Sequence, residues 1–362
     1  MEVSAMTIHT FELSCIVTKE RYFLIQDKLK NTDPSKWAKE KFGMTYWGLS
    51  GEGIIIRTFI TRNKDYFAYN ITYRISARRV MDNHDFVGLF DTKKYKELED
   101  EVDFLLEGKC DLLPPLRECR MRRIDFCFNA EFKNQEQVKA YIKTMKRANV
   151  PNYLKLLEAY DKKSKRTKPM KDDFTVYNDH YVAVSIYNKQ RQMIKEQREK
   201  KKIIFPEAEI KRAENIVRIE IRCMECKVKE LKKKFHLTNI EDFMISAKII
   251  GEDLFRYYLS NICNDGKICT LSEALKKIDM CEYHSENKDI LKKFIEFSNR
   301  FRSAAKAITL YKEFFDRKEV NRIIWMLYNI DVSFVTATTE VTKLFDRGYI
   351  PTPLELYAEW CG

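Results

Sequence analysis

The chain has 362 residues, 44% of them hydrophobic and 13% aromatic, with only 10 Gly and 8 Pro; this composition packs into ordered domains and excludes a disordered chain or a disulfide-scaffold peptide. Lys and Arg number 66 against 54 Asp and Glu, a net charge of +12, which favours a polyanionic partner, either nucleic acid or an anionic membrane surface. No run nears the roughly 18 apolar residues that span a bilayer, and MEVSAMTIHTFELSC lacks a basic stretch followed by an apolar one, so the expectation is a cytoplasmic protein without membrane contact.

Apolar alternation predicts strands at about 7–16, 53–61, 67–76, 122–130, 174–188 and 216–222. Helical patterns separate them at 19–30, 93–107, 135–148 and 151–160, the last opening on Pro151. From about 227 the pattern turns helical, over 227–235, 240–261, 271–281, 287–316, 318–329, 339–347 and 353–360, with no strand signal. The fold class is therefore α+β: an antiparallel or mixed sheet with helices on one face, followed by an all-α C-terminal domain. The strand–helix order runs roughly twice, before and after the break at Leu112–Pro115, which suggests two sheet units. Residues 1–116, 117–235 and 236–362 are the expected units, the second boundary lying in KELKKKFHLTN, where Thr238 and Asn239 are cap candidates. Trp325 and Tyr328 stand in a helix whose apolar spacing reads as core.

Ten cysteines without a framework spacing read as reduced thiols. Cys223 and Cys226 form a CxxC that Cys263 and Cys269 would complete as a zinc site, but no Gly-rich knuckle surrounds either pair, and packing as small hydrophobes is the simpler reading.

Residues 162–202 carry 13 Lys/Arg against 5 Asp/Glu, eight of the net +12 charges. Lys162, Lys163, Lys165, Arg166, Lys168 and Arg191 thereby flank a strand bearing Tyr177, Tyr181 and Tyr187. Cations beside aromatic rings suit a phosphate backbone and stacked bases, although a run such as EQREKKK also serves as a solvated helix face.

Three strands build a polar face. Ile124, Phe126 and Phe128 alternate with Arg123, Asp125, Cys127 and Asn129; Val217, Ile219 and Ile221 alternate with Arg218, Glu220 and Arg222. Val182, Val184 and Ile186 leave Tyr181, Ala183, Ser185 and Tyr187 on the other side, with Lys189 beyond. If the strands share a sheet, Asp125 and Glu220 converge as oxygen ligands for Mg²⁺ or Mn²⁺, beside a tyrosine able to attack a phosphodiester. The alternative is that both carboxylates pair across strands with Arg123, Arg218 or Arg222.

The segments RRIDFCFN (122–129), IKTMKRANVPNYLK (142–155), KPMKDDFTVY (168–177), VSIYNKQRQM (184–193), NIVRIEIRCMECKVKELKKKF (215–235) and VNRIIWMLYNIDVSFVT (320–336) together resemble the rolling-circle replication initiators of phages and plasmids. The resemblance is to the Firmicutes phage and plasmid replication proteins, related to filamentous-phage and plasmid initiators that lack the paired-histidine motif. It covers most of the chain from about 117 to 345, and it implies a metal-dependent endonuclease that nicks and rejoins one DNA strand through a 5′-phosphotyrosine. Carried over, Asp125 and Glu220 hold Mg²⁺ or Mn²⁺, Lys189 contacts the scissile phosphate, and Tyr177 is the nucleophile with Tyr181 as runner-up. Arg123, Arg218 and Arg222 join the basic run as DNA contacts. The implied partners are single-stranded DNA and origin duplex DNA, with a host helicase and a second copy of the chain as further candidates. The five histidines (9, 84, 180, 236 and 284) form no His-x-His pair, and the segment 331–350 resembles a helix-turn-helix fragment. Two other readings stand beside this one: a non-catalytic DNA-binding protein of the same fold, and an RNA-binding open sheet.

Overall fold

The computed structural model describes residues 7–62, 66–82, 85–161, 166–170, 173–200 and 205–361. Strands are β1 (Thr7–Val17), β2 (Trp37–Glu40), β3 (Gly43–Tyr46), β4 (Ile54–Arg62), β5 (Phe67–Ile75), β6 (Arg120–Glu131), β7 (Lys155–Leu156), β8 (Glu158–Asp161), β9 (Arg166–Pro169), β10 (Asp173–Asn178), β11 (Val182–Asn188) and β12 (Ile216–Cys223). Ten of them form one sheet in the order β2-β3-β4-β5-β1-β6-β12-β11-β10-β7, every pair antiparallel, and β8 and β9 form a separate ribbon. The architecture is α+β. Because β1 pairs with β6, the sheet runs unbroken from the N-terminal strands into the polar-faced ones.

Helices are α1 (Lys19–Thr32), α2 (Ala77–Met81), α3 (Tyr95–Lys109), α4 (Gln135–Met145), α5 (Lys189–Lys200), α6 (Glu207–Arg212), α7 (Glu225–Lys234), α8 (Ile240–Ile245), α9 (Ala247–Ile262), α10 (Leu271–Met280), α11 (Ser285–Phe301), α12 (Ala304–Phe314), α13 (Arg317–Asn329), α14 (Thr339–Thr342) and α15 (Pro353–Cys361). No helix among the described residues is long and apolar enough to cross a membrane. The apolar sides of α1, α3, α4, α7 and α9 share one core with Phe11, Ile56, Phe126, Phe128, Val184 and Ile219 of the sheet, as period-two strands facing period-3.6 helices require. The opposite face is covered over its middle by α5, α6 and the segment 85–90, which build a smaller cluster of Val87, Met193, Phe205, Ala213 and Ile216.

Several elements differ from the sequence expectation. The run 174–188 is a hairpin rather than one strand, broken at Asn178–Tyr181, where Asn and Asp supply a turn. Residues 151–160 are not helical: Pro151 opens a turn, and β7 is recruited by the edge of β10, so tertiary pairing overrides local pattern. The helix expected at 287–316 breaks at Arg302, which adopts a left-handed conformation, and Ser303 caps α12. The segment 331–350 forms no helix-turn-helix; it holds only the one-turn α14 and isolated bridges to residues 267–270. Trp325 and Tyr328 are 60% and 47% exposed, because Val320, Ile323, Met326 and Leu327 make the buried side of α13. All ten cysteines are free thiols.

A candidate phosphodiester site on the polar face

Register places the predicted residues in three rows across the strands. Tyr177, Ala183, Arg222 and Asp125 form one row, Thr175, Ser185, Glu220 and Cys127 the next, and Asp173, Tyr187, Arg218 and Asn129 the third. Directly opposed residues share a face, so Asp125, Glu220, Tyr177 and Tyr187 do stand on one surface. Part of it is a cleft of about 280 Å³ whose lining includes His9, Asp125, Tyr187, Lys189, Glu220 and Arg222.

The carboxylates are already engaged. Arg123 donates from Nε to Asp125 Oδ1 at 2.8 Å and its Nη1 reaches Glu12 at 3.1 Å. Arg222 bridges the two acids, with Nη2 3.0 Å from Glu220 Oε1 and Nε 3.5 Å from Asp125 Oδ2. The other Glu220 oxygen accepts from the Tyr187 hydroxyl at 3.2 Å and lies 3.6 Å from His9 Nδ1. Burial first, then the charges of Arg218, Lys189, Arg74 and Arg222, hold His9 well below the ordinary imidazole range, so its ring is neutral at neutral pH. Burial and the neighbouring Glu220 push the Tyr187 phenol well above its ordinary value. Lys189, the first residue of α5, is turned into the cleft because Asn188 caps that helix through the Arg191 N–H at 3.0 Å. Burial and then Arg218 lower its ammonium to about 7, and its Nζ donates to Gln192 at 3.1 Å.

A divalent cation does not fit the Asp125–Glu220 pair as packed, because the Arg222 guanidinium lies between them and the cations that depress His9 would repel a metal in the same place. Among the described residues no group of three His, Cys, Asp or Glu is arranged to hold a metal. The field suits an anion instead: the Arg79 Nε on the cleft wall is buried and has no acceptor among the described residues. Asp125→Asn is expected to lower stability by about 2 kcal/mol, since Arg123 and Arg222 then face each other without their shared carboxylate; urea unfolding checks this, and an unchanged midpoint would contradict the geometry.

The other expected site residues are dispersed. Tyr177 is half-buried on β10 in the row of Arg222, outside the cleft lining, with only Ala183 between them. Tyr181 packs against the core beneath the Lys227 ammonium, 5.2 Å from the ring centre. Arg218 is fully buried, donating to Asn129 Oδ1 at 2.8 Å and the Val87 carbonyl at 2.5 Å, so it braces the 85–90 segment and does not reach a DNA backbone. Arg123 is likewise 8% exposed and paired, and Arg191 is partly buried. Lys162, Lys163 and Lys165 lie outside the described residues, and Arg166 and Lys168 fall on β9.

His9, Arg74, Arg79 and Asp85 were not singled out by the sequence reading, yet all four line the cleft. One signal for His9 was present: apolar positions 8, 11 and 13 in β1 contain a three-residue step, and the register slips between Ile8 and Thr10, where a bulge turns an extra side chain outward.

No family model and no curated protein matches the chain. Among solved structures, a rolling-circle replication initiator protein from Geobacillus stearothermophilus is similar over 70% of this chain and 84% of that one, at 11% identity and a TM-score of 0.32. A likeness that loose establishes neither fold nor function by itself.

Proposed function

We propose that the chain is a DNA-processing replication initiator that nicks and rejoins one strand through a tyrosine, and that Tyr187 is the nucleophile. The observation that carries this reading is the Tyr187 hydroxyl donating to Glu220 at 3.2 Å in a cleft also lined by the cations Lys189 and Arg222. A nucleophile hydrogen-bonded to its base, beside cations for the charge developing on phosphorus, is the arrangement covalent phosphoryl transfer needs. The phenolic proton passes to Glu220 as the Tyr187 Oη–P bond forms. The P–O3′ bond breaks, and the departing 3′ oxygen takes a proton, leaving a free 3′ hydroxyl and a 5′-phosphotyrosine; religation reverses each step. Glu220 acts here as a base. A requirement for Mg²⁺ or Mn²⁺, which the resemblance implies, would need Arg222 to leave the two carboxylates.

The test incubates the protein with supercoiled and single-stranded DNA, with and without Mg²⁺ or Mn²⁺, and maps any protein–DNA adduct by mass spectrometry. An adduct on Tyr187 that disappears in Tyr187→Phe and falls at least about 100-fold in Glu220→Gln is expected. An adduct on Tyr177 keeps the nicking reading and moves the nucleophile two rows along the sheet, onto the neighbouring strand. Tight DNA binding with no adduct and no nick under any condition leaves the non-catalytic DNA-binding reading in its place.

A further inference from the structure

A second cavity, of about 630 Å³, lies away from the polar face, between the loop after α4, the end of α9 and one side of α13. Arg317, Asn321, Trp325 and Tyr328 recur every three or four residues and so form a stripe along α13. Facing them are Tyr153, 44% exposed, and Asp265. The loop is fixed to α9 by the Asn149 side chain, which donates to the Asn261 carbonyl at 2.9 Å. The far rim is Lys312, whose Nζ lies 3.5 Å from Asn152 Oδ1.

The chemistry is unlike that of a packing defect. Large rings stand open to water along a groove of amides, and neither the Arg317 nor the Asn321 side chain makes an ion pair or hydrogen bond among the described residues. One oxygen of Asp265 is buried with no donor to it. Exposed rings offer π faces on which any base stacks, rim cations meet a phosphate backbone, and a buried carboxylate oxygen accepts from the N–H edge of an unpaired base. The groove also adjoins the sheet edge that carries the candidate tyrosines: the Asn178 side chain of β10 donates to the Tyr153 carbonyl at 3.4 Å, and Tyr177 pairs with Lys155.

We propose that this groove holds unpaired bases of single-stranded DNA, stacked on Trp325, Tyr328 and Tyr153, with Lys312 and Arg317 on the phosphates and Asp265 on an amino-bearing base edge. The choice of DNA rests on the function proposed above; the groove chemistry does not. Fluorescence anisotropy of fluorescein-labelled (dT)15 and (dC)15 with the full chain tests it, using Trp325→Ala, Tyr328→Ala, Lys312→Glu and Asp265→Asn. Each aromatic variant is expected to weaken both oligomers about tenfold. Lys312→Glu should flatten the salt dependence, and Asp265→Asn should reduce the preference for (dC)15 over (dT)15. Because the ring positions are exposed, unchanged circular dichroism melting will show that the variants fold. Wild-type affinity in both aromatic variants overturns the proposal, and equal or tighter binding of (rC)15 or of duplex overturns its assignment to single-stranded DNA. The two proposals fail separately: in Tyr187→Phe the groove still binds, so losing the adduct leaves this inference standing, whereas an adduct formed by a chain whose groove variants bind normally removes it.

Discussion

Asp85→Ala is expected to cost about 4 kcal/mol of folding stability, from the loss of several charge-assisted hydrogen bonds at one buried carboxylate. Asp85 is 6% exposed. Its Oδ1 accepts from the Val87 and Gly88 N–H groups at 3.1 and 2.6 Å and from Arg212 at 2.8 Å, while Oδ2 accepts from Arg78 at 2.7 Å. The residue thus ties α2, the 85–90 segment and α6 into the wall of the cleft. Gly88 permits this, since a Cβ there would sit 2.1 Å from the carboxylate. Burial alone would raise the Asp85 carboxyl, but the Gly88 N–H, Arg78 and Arg212 together hold it below the ordinary range. The sign follows: its stabilisation is present above the unfolded value of 3.8 and is lost as pH falls through the lower folded value. Urea unfolding at pH 7 should show the loss, with Asp85→Asn retaining part of the stability. Limited proteolysis should show new cleavage between residues 82 and 90. A variant within 1 kcal/mol of the parent and equally protease-resistant would show that the wall is held by other contacts.

What the sequence disclosed follows the range of the forces involved. Alternation in β6 and β12 identifies the polar face correctly, because a strand's period of two is local and both neighbours obey it. The residues that line the cleft from 1–116 were not legible, since Asp85 and Arg79 reach it through a loop and a five-residue helix, and only the β1–β6 pairing brings His9 beside Glu220. Arg218 and Arg222 look alike in the sequence, four residues apart on the same face; one is fully buried beneath 85–90 and the other bridges the acids. Trp325 was misread because a ring at core-like spacing lies just beyond the apolar arc of α13, a difference of one helical step that only packing settles.

Lys189→Met is expected to stabilise the folded chain at neutral pH while weakening anion binding in the cleft. The ammonium falls from an ordinary 10.5 to about 7, chiefly through burial and then through Arg218. A lysine lowered on folding binds fewer protons in the native state than in the unfolded one between those values. The folded state is therefore penalised in full below about pH 7 and relieved as pH rises toward 10.5, a difference on the order of 5 kcal/mol at 1.36 kcal/mol per unit. Thermal melts from pH 6.5 to 9 should show this rise in the parent and its loss in the methionine variant, which should melt higher at pH 7. A phosphate entering the cleft reverses the balance: its charge favours the protonated amine, so binding takes up a proton, and affinity falls as pH climbs from 7 to 9. Calorimetry in buffers of differing ionisation enthalpy measures that uptake directly, with inorganic phosphate or a short single-stranded oligonucleotide as probe. Proton uptake in the parent and none in Lys189→Met would place the anion beside Nζ. Equal uptake in both would assign the proton to another group and remove Lys189 from the phosphate-binding role.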